Sequence, residues 1–565
     1  MNSKSCAAGP SRTGAVMTDL VILMAAWLVS LMVVNPIGNF PLNDDWSFGR
    51  AVQHLVERDD FRPTGWASMP LLTNVVWGAL FCLPAGFSFT ALRLSTLTLS
   101  LCGMLGTYWL ARELRLSRGL AIFSALVMGF NPITFALSNT FMTDVPFSAM
   151  IVLAVIFLFR NLVNTSKRDW LIGLVLVVAA TLSRQLAIAV PLAFAVTVIL
   201  REGVAWRNLL RAGIPAAACI GSLLLFQHWL AATGRLPANY DAKNHLLRLA
   251  FSHPSWLLGN VEDKFYSCLL YLGLFLSPIL TLVLPGLWVA QRKRIAIALA
   301  FSFLLILHLA IRYGQLNESF LMPTSLNILV KSGIGPVTLR DAFILNLNHA
   351  AALPPGFWLG VTIISLFGAV ALLAVISVAV VHLVARLWSK KTDASDASNL
   401  FLWLTTVIYL LPLLVGGFFD RYLIVVVPLL AVFSASFFPP QFPAIKFRLG
   451  RLMAMVLLVG TILFAIGTTR DYLEWNRVRW RAIRELITDQ HVRPDQIDGG
   501  FEFGGLYFYD SQYQPGSHKS WWWIQDDTYQ ISFGPVPGFA IVKEYDYVNW
   551  LPPHRSRICV LKKSS

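Results

Sequence analysis

Apolar runs of membrane-spanning length recur along most of this chain, separated by short polar loops. They fall near residues 16–36, 88–111, 119–138, 145–163, 211–232, 267–290, 295–312, 356–387, 399–417, 422–438 and 450–469. A bilayer's hydrocarbon core calls for roughly 20 apolar residues per helix, and these runs supply them. The stretch between Arg168 and Arg201 is broken by Ser183-Arg184-Gln185, which predicts two short helices meeting at a tight hairpin. The first run follows Met1-Asn2-Ser3-Lys4 without an obvious small-residue cleavage site, so it predicts an uncleaved helix. The pattern as a whole predicts about thirteen spanning helices.

Charge fixes which loops share a side. Alternate loops carry Arg112/Arg115/Arg118, Lys167/Arg168, Arg201/Arg207/Arg211, Arg292/Lys293/Arg294, Arg386/Lys390/Lys391 and Lys446/Arg448/Arg451. Lys and Arg in short loops mark the cytoplasmic face. Splitting the 168–201 stretch keeps all of these loops inside, which places the N-terminus in the cytoplasm and the C-terminus outside. The external face then receives the long connections 37–87, 233–266 and 313–354, and the tail from about 470.

Two of these external regions have structure written into them. In 37–87, Asp44 or Ser47 can start a helix through Ser47–Val56 that puts Phe48, Val52 and Leu55 on one face. Leu71–Phe81, ended by Pro84, is too short to span, so both segments are expected to lie along the interface as amphipathic helices. The tail opens with an Arg- and Trp-rich amphipathic helix over 471–489. Gly499–Gly505, Gln514-Pro515-Gly516 and Gly534-Pro535-Val536-Pro537 then punctuate short strands such as Gly538–Tyr545 and Arg557–Lys562. The expected fold is a polytopic α-helical membrane domain, residues 1–469, followed by a small α+β external domain, residues 470–565.

Composition excludes a soluble protein. The chain is 56% hydrophobic and 13% charged, with mean hydropathy +0.63, where soluble domains carry about 25% charged residues. A net charge of +15 would suggest a nucleic-acid partner in a soluble protein, but here the basic residues cluster in the short loops that set topology. The six cysteines, Cys6, Cys82, Cys102, Cys219, Cys268 and Cys559, are scattered, with no CxxC spacing and no disulfide framework. They read as small buried hydrophobes.

Candidate chemistry concentrates at the external face. Asn43-Asp44-Asp45-Trp46 follows the first span, and Phe141-Met142-Thr143-Asp144-Val145-Pro146 follows the third. A carboxylate at a cavity mouth can serve as general base towards a hydroxyl. Each acid also suits a helix start. Arg184, stranded in an apolar hairpin, requires an anion or carbonyls, and its guanidinium fork suits phosphate. It can equally snorkel, or pair with Asp144. Arg421, in Phe418-Phe419-Asp420-Arg421-Tyr422, can hold a phosphate or pair with Asp420. Arg93 is a further basic candidate at the outer end of the second span. His54, His245, His253 and His349 show no metal-ligand spacing. Trp521-Trp522-Trp523 can line a sugar platform or anchor the tail at the interface.

The layout resembles the GT-C integral-membrane glycosyltransferases, and more narrowly their glycosyltransferase 39, ArnT-like and RgtA/B/C/D-like branch. The likeness covers roughly residues 15–440. Asp44 matches the first acid of the family's acidic pair, the proposed base, with Asp45 in second place and Asp144 as the acid after the third span. Arg421-Tyr422, with the apolar run to Pro428, matches a late Arg-Tyr-Leu element. Arg184 sits where relatives carry a basic residue near the donor phosphate.

The resemblance implies an inverting transfer of sugar from a polyprenyl-phosphate donor to a lipid, glycan or protein acceptor, at the outer face of a bacterial inner membrane. Asp44, Asp45 and Asp144 are then the catalytic acids, and Arg184, Arg421, Tyr422 and Arg93 surround the donor phosphate. It implies no nucleotide cofactor, no nucleic-acid partner and, for want of a Glu/His pair, no assigned divalent metal. The alternative is a transporter or flippase of a lipid-linked saccharide, or an envelope assembly protein whose tail is the working part.

Overall fold

The structure is a computed structural model and describes residues 12–240, 252, 254–317, 319–389, 393–437, 448–512, 522–524 and 526–564. Cys6, His245, His253, Lys390, Lys391, Lys446, Trp521 and the Gln514-Pro515-Gly516 turn lie outside the described residues.

Helices dominate, as the apolar runs predict. Among the described residues ten helices are long and apolar enough to cross a membrane, and eleven if the bent pair Arg118–Gly129 and Pro132–Ser138 is one span. The hairpin expected at 168–201 is present as Lys167–Ser183, a 3-10 turn Gln185–Ile188 and Ala189–Glu202. Lys167–Ser183 has 17 residues and Val427–Ser436 has 10, so both fall short of a full span although they occupy expected positions. The count of thirteen is therefore met by helical segments, not by thirteen full-length spans.

The basic loops gather at one end of the bundle. Arg118 pairs with Asp19 at 2.7 Å, Arg160 with Glu113 at 3.1 Å, and Arg211 with Glu202 at 2.7 Å. Within the bundle, small residues allow the longest helices to touch. Pro254–Ala290 crosses Pro355–Trp388 at Gly273 and Gly368, where a Cβ on Gly368 would lie 2.1 Å from the Gly273 carbonyl oxygen. Close backbone approach through small residues is the usual packing device where hydrophobicity cannot drive helices together.

The tail departs from expectation at its start. The last span and the predicted amphipathic helix are one continuous helix, Arg448–Thr488, which carries the chain across position 470 without a break. Beyond it stands a four-stranded sheet in the spatial order Ile497–Asp498, Tyr529–Ser532, Pro553–Lys563, Phe539–Trp550. The first pair is parallel and the others antiparallel. Asp471 fastens helix to sheet by accepting from the backbone N–H of Trp550 and of Leu551, each at 2.8 Å. The 313–354 connection joins them too, since Asp341 accepts from Phe533 N–H at 2.9 Å. The fold is thus the polytopic helical membrane protein with a small α+β domain.

Candidate active site

The first helix within the 37–87 connection begins one residue after Asp44 and runs Asp45–Arg58, further than its apolar face alone predicts. Asp44 occupies the N-cap position, yet its side chain makes no capping bond. One of its oxygens instead accepts from Trp66 Nε1 at 2.9 Å, and the other meets Arg421 Nη1 at 3.3 Å. Capping does not explain this acid.

Asp144 reaches the same place through a sharp bend. Asn131 accepts from the N–H groups of Ile133 and Thr134 at 3.1 and 3.2 Å, and Pro132 opens a new short helix, so the chain turns by 62°. That turn delivers Asn139–Thr143 and then Asp144 at the head of the next helix. Arg184 lies in extended backbone between the two hairpin helices. Its Nη1 donates to Asp144 at 2.5 Å and to Thr143 Oγ1 at 3.1 Å, and its guanidinium sits 4.7 Å above the Tyr422 ring.

Arg421 and Tyr422 ride on a 3-10 turn, Asp420–Val425, packed against the Asp144–Asn164 helix. Asp420 does not pair with the Arg421 guanidinium. Its carboxylate accepts instead from the backbone N–H groups of Ile328, Leu329 and Arg421, the last two at 2.8 and 2.7 Å, and so pins the 313–354 connection. Burial pushes the Asp420 carboxyl up to about 6 against those donors. Arg421 is thereby left to face two acids. Burial opposes its charge, but Asp144 and Asp44 outweigh burial and hold its pKa above the ordinary value.

Asp44, Asp144, Arg184, Arg421 and Tyr422 therefore form one connected cluster, two carboxylates against two guanidinium groups. All but Asp44 are buried. Asp144 Oδ2 and Arg421 Nε have no hydrogen-bond partner among the described residues. A buried guanidinium with a spare donor beside aromatic faces can donate to a phosphate oxygen.

Asp45 and Arg93 lie apart from this cluster. Asp45 accepts from the N–H groups of Leu42 and Phe141, which ties the two acidic loops together. Burial pushes its carboxyl up to about 7, against the pull of Arg93. Arg93 spends its donors on the carbonyls of Pro36, Gly38 and Phe40, at 2.8, 3.1 and 2.8 Å. Both brace the turn that carries Asp44.

Three contributors escape sequence reasoning. Trp66 carries no motif, and neither do Arg479 and Glu502 of the tail. Glu502 accepts from Asn43 N–H at 3.1 Å with one oxygen, and with the other meets Arg479 at 2.8 Å and Thr338 Oγ1 at 2.7 Å. Both partners of this ion pair are fully buried. Beside it in the chain, Phe501 joins Trp46, Trp66, Tyr509 and Trp523, which pack against one another with ring centroids 5.1–6.5 Å apart. Thus the tail's aromatic residues wall the Asp44 turn, and Trp522 and Trp523 pack into this wall rather than standing alone at the interface. Among the described residues no group of three His, Cys, Asp or Glu side chains is placed to hold a metal ion.

Residues 69–231 match the family model for dolichyl-phosphate-mannose-protein mannosyltransferase. The matched segment contains Asp144 and Arg184, whereas Asp44 and Arg421 come to them from outside it. Among solved structures, the chain is similar to ArnT from Cupriavidus metallidurans bound to undecaprenyl phosphate. They share 15% identity over 87% of this chain and 85% of that one, with TM-score 0.37. It is also similar to the archaeal oligosaccharyltransferase AglB from Archaeoglobus fulgidus, in complex with an inhibitory peptide and a dolichol-phosphate. There the identity is 13% over 80% of this chain and 56% of that one, with TM-score 0.40. No curated protein matches the chain.

Proposed function

We propose that this protein transfers a sugar from a polyprenyl-phosphate donor to an acceptor at the outer face of a bacterial inner membrane, with inversion and with Asp44 as base. The observation that carries the reading is the contact of Asp44 with Arg421 at 3.3 Å, in a cluster that also holds Asp144 and Arg184. The family description over residues 69–231 supplies the chemical class, a lipid-phosphate-linked sugar.

The cluster is charge-balanced at rest, so an arriving phosphate must draw a guanidinium from a carboxylate. Arg421 is the group able to move, because its Nε is unengaged and its contact with Asp44 is a single one. Its shift to the phosphate frees an Asp44 oxygen for the acceptor hydroxyl. Asp44 then takes the hydroxyl proton as the acceptor oxygen bonds to the anomeric carbon. The bond from that carbon to the phosphate oxygen breaks, and its electron pair leaves with the polyprenyl phosphate. Arg184 and Arg421 stabilise the charge that develops there, the kind of contribution worth about 3–4 kcal/mol per well-placed donor. Asp144 keeps Arg184 aimed. Trp66 Nε1 holds the other Asp44 oxygen, which leaves only one free to act.

The test is a glycolipid, glycan and protein profile of membranes with the protein, without it, and with Asp44→Asn. The expected result is one modified species lost in the latter two while its polyprenyl-linked precursor accumulates. An unchanged acceptor profile, with the precursor merely redistributed between leaflets, would mean transport instead of transfer.

A further inference from the structure

The end of the bundle that bears Asp44 has a second feature, which the proposed reaction does not use. A recess of about 400 Å³ lies between the Ile37–Phe40 loop and the Arg448–Thr488 helix. Arg477, Arg481 and Arg484 line it from one helix face, spaced four and three residues apart. Arg477 is fixed: it pairs with Glu474 at 2.6 Å and donates to the carbonyls of Val34, at 3.1 Å, and Asn35. Arg481 lies over the Tyr545 ring at 5.6 Å. Arg481 and Arg484 are exposed and form no ion pair among the described residues. Glu485, the acid beside them, is already taken by Lys543 at 2.7 Å and Tyr545 at 2.6 Å. Asp546 is the remaining acid in the recess.

The basic loops that set topology gather at the opposite end, so this stripe does not serve orientation. Its depth is informative. Val34 ends the first spanning helix, and Arg477 holds its carbonyl. At 1.5 Å rise per residue, Arg481 stands about 6 Å and Arg484 about 10 Å further out. The headgroup layer extends roughly 5–8 Å beyond the hydrocarbon on each side. Arg481 therefore stands at the depth of the headgroup layer and Arg484 just outside it, where a long side chain can reach back to a lipid phosphate.

The geometry points to a seat for the phosphate-bearing headgroup of an anionic membrane lipid, gripped by Arg481 and Arg484 above the fixed Arg477. Surface arginines at this depth attract anionic headgroups strongly enough to be measured singly. The inference stands independently of the sugar-transfer reading.

Native mass spectrometry of the full-length protein in detergent tests it, with phosphatidylglycerol and phosphatidylcholine of matched chains as probes and inorganic phosphate as competitor. The expected result is preferential retention of phosphatidylglycerol, lowered about tenfold in the Arg481→Gln/Arg484→Gln double variant and undiminished by millimolar phosphate. Comparison of variant with wild type removes the lipid held by the distant basic loops. Equal retention by wild type and double variant overturns the proposal, and so does displacement by inorganic phosphate, which would make the ligand a free anion. Should the double variant fail to fold, Arg484→Gln alone, an exposed substitution, tests the same seat through a smaller loss of retention, and no loss overturns the proposal.

Discussion

At the residue scale, the decisive fact is that Asp44 forgoes its cap. A helix-start aspartate ordinarily accepts from the backbone two or three residues on, but this one turns to Trp66 and Arg421. If it is the base, Asp44→Asn should lower turnover by roughly 10²–10⁴ while donor binding persists, measured with purified protein and labelled donor. Arg421→Gln should cost about 10²–10³ in turnover and also weaken donor binding, because it removes the mobile guanidinium. Asp45 makes a different prediction. Its folded pKa is raised to about 7 by burial, against Arg93 and with Glu502 nearby. The carboxyl therefore contributes stability below about pH 4 that is lost as pH rises through 7. Thermal melts of the solubilised protein should fall between pH 5 and 8, and Asp45→Asn should flatten that fall.

At the element scale, the site is assembled by breaks in helices. The 62° bend at Asn131-Pro132, the extended Arg184 between the two hairpin helices, and the 3-10 turn at Asp420–Val425 each release polar backbone or side chains where an unbroken span would bury them. The continuous Arg448–Thr488 helix does the opposite and carries Arg479 rigidly to Glu502. Breaking a fully buried ion pair costs about 3–5 kcal/mol, so Glu502→Ala should lower the melting temperature markedly. Glu502→Gln keeps an acceptor for Asn43 and should lose less, with more of its remaining turnover intact. Equal loss in both variants would show that the pair does not hold the Asp44 turn.

At the scale of the whole molecule, two ends are chemically distinct. One collects the basic loops, ion-paired across helices, and the other collects the acids, the aromatic wall and the sheet domain. Single cysteines at Arg115 and Glu57, both exposed, should label with an impermeant maleimide from opposite sides of sealed vesicles, in a background lacking Cys6 and Cys102. Labelling of both from one side would remove the basis for placing Asp44 opposite the basic loops.

Much of this architecture is legible in the sequence. Hydropathy alone determines the helices, because a bilayer admits few alternatives to them, and loop charge sorts their ends. The order of Asp44, Asp144, Arg184 and Arg421 along alternating spans already puts them on one side. Span boundaries are less legible, since bends at Asn131-Pro132 and around Arg184 depend on side-chain caps and neighbours more than on apolar length. What only tertiary structure decided was which charges meet. Arg421 faces Asp44 because Asp420 is taken by the backbone of a loop some ninety residues earlier, with separations of 91 and 92. The Asn43 turn is held by Glu502 across 459 residues. No local pattern encodes such pairs, because a buried carboxylate and its partner are selected by proximity in the folded chain, not by spacing along it.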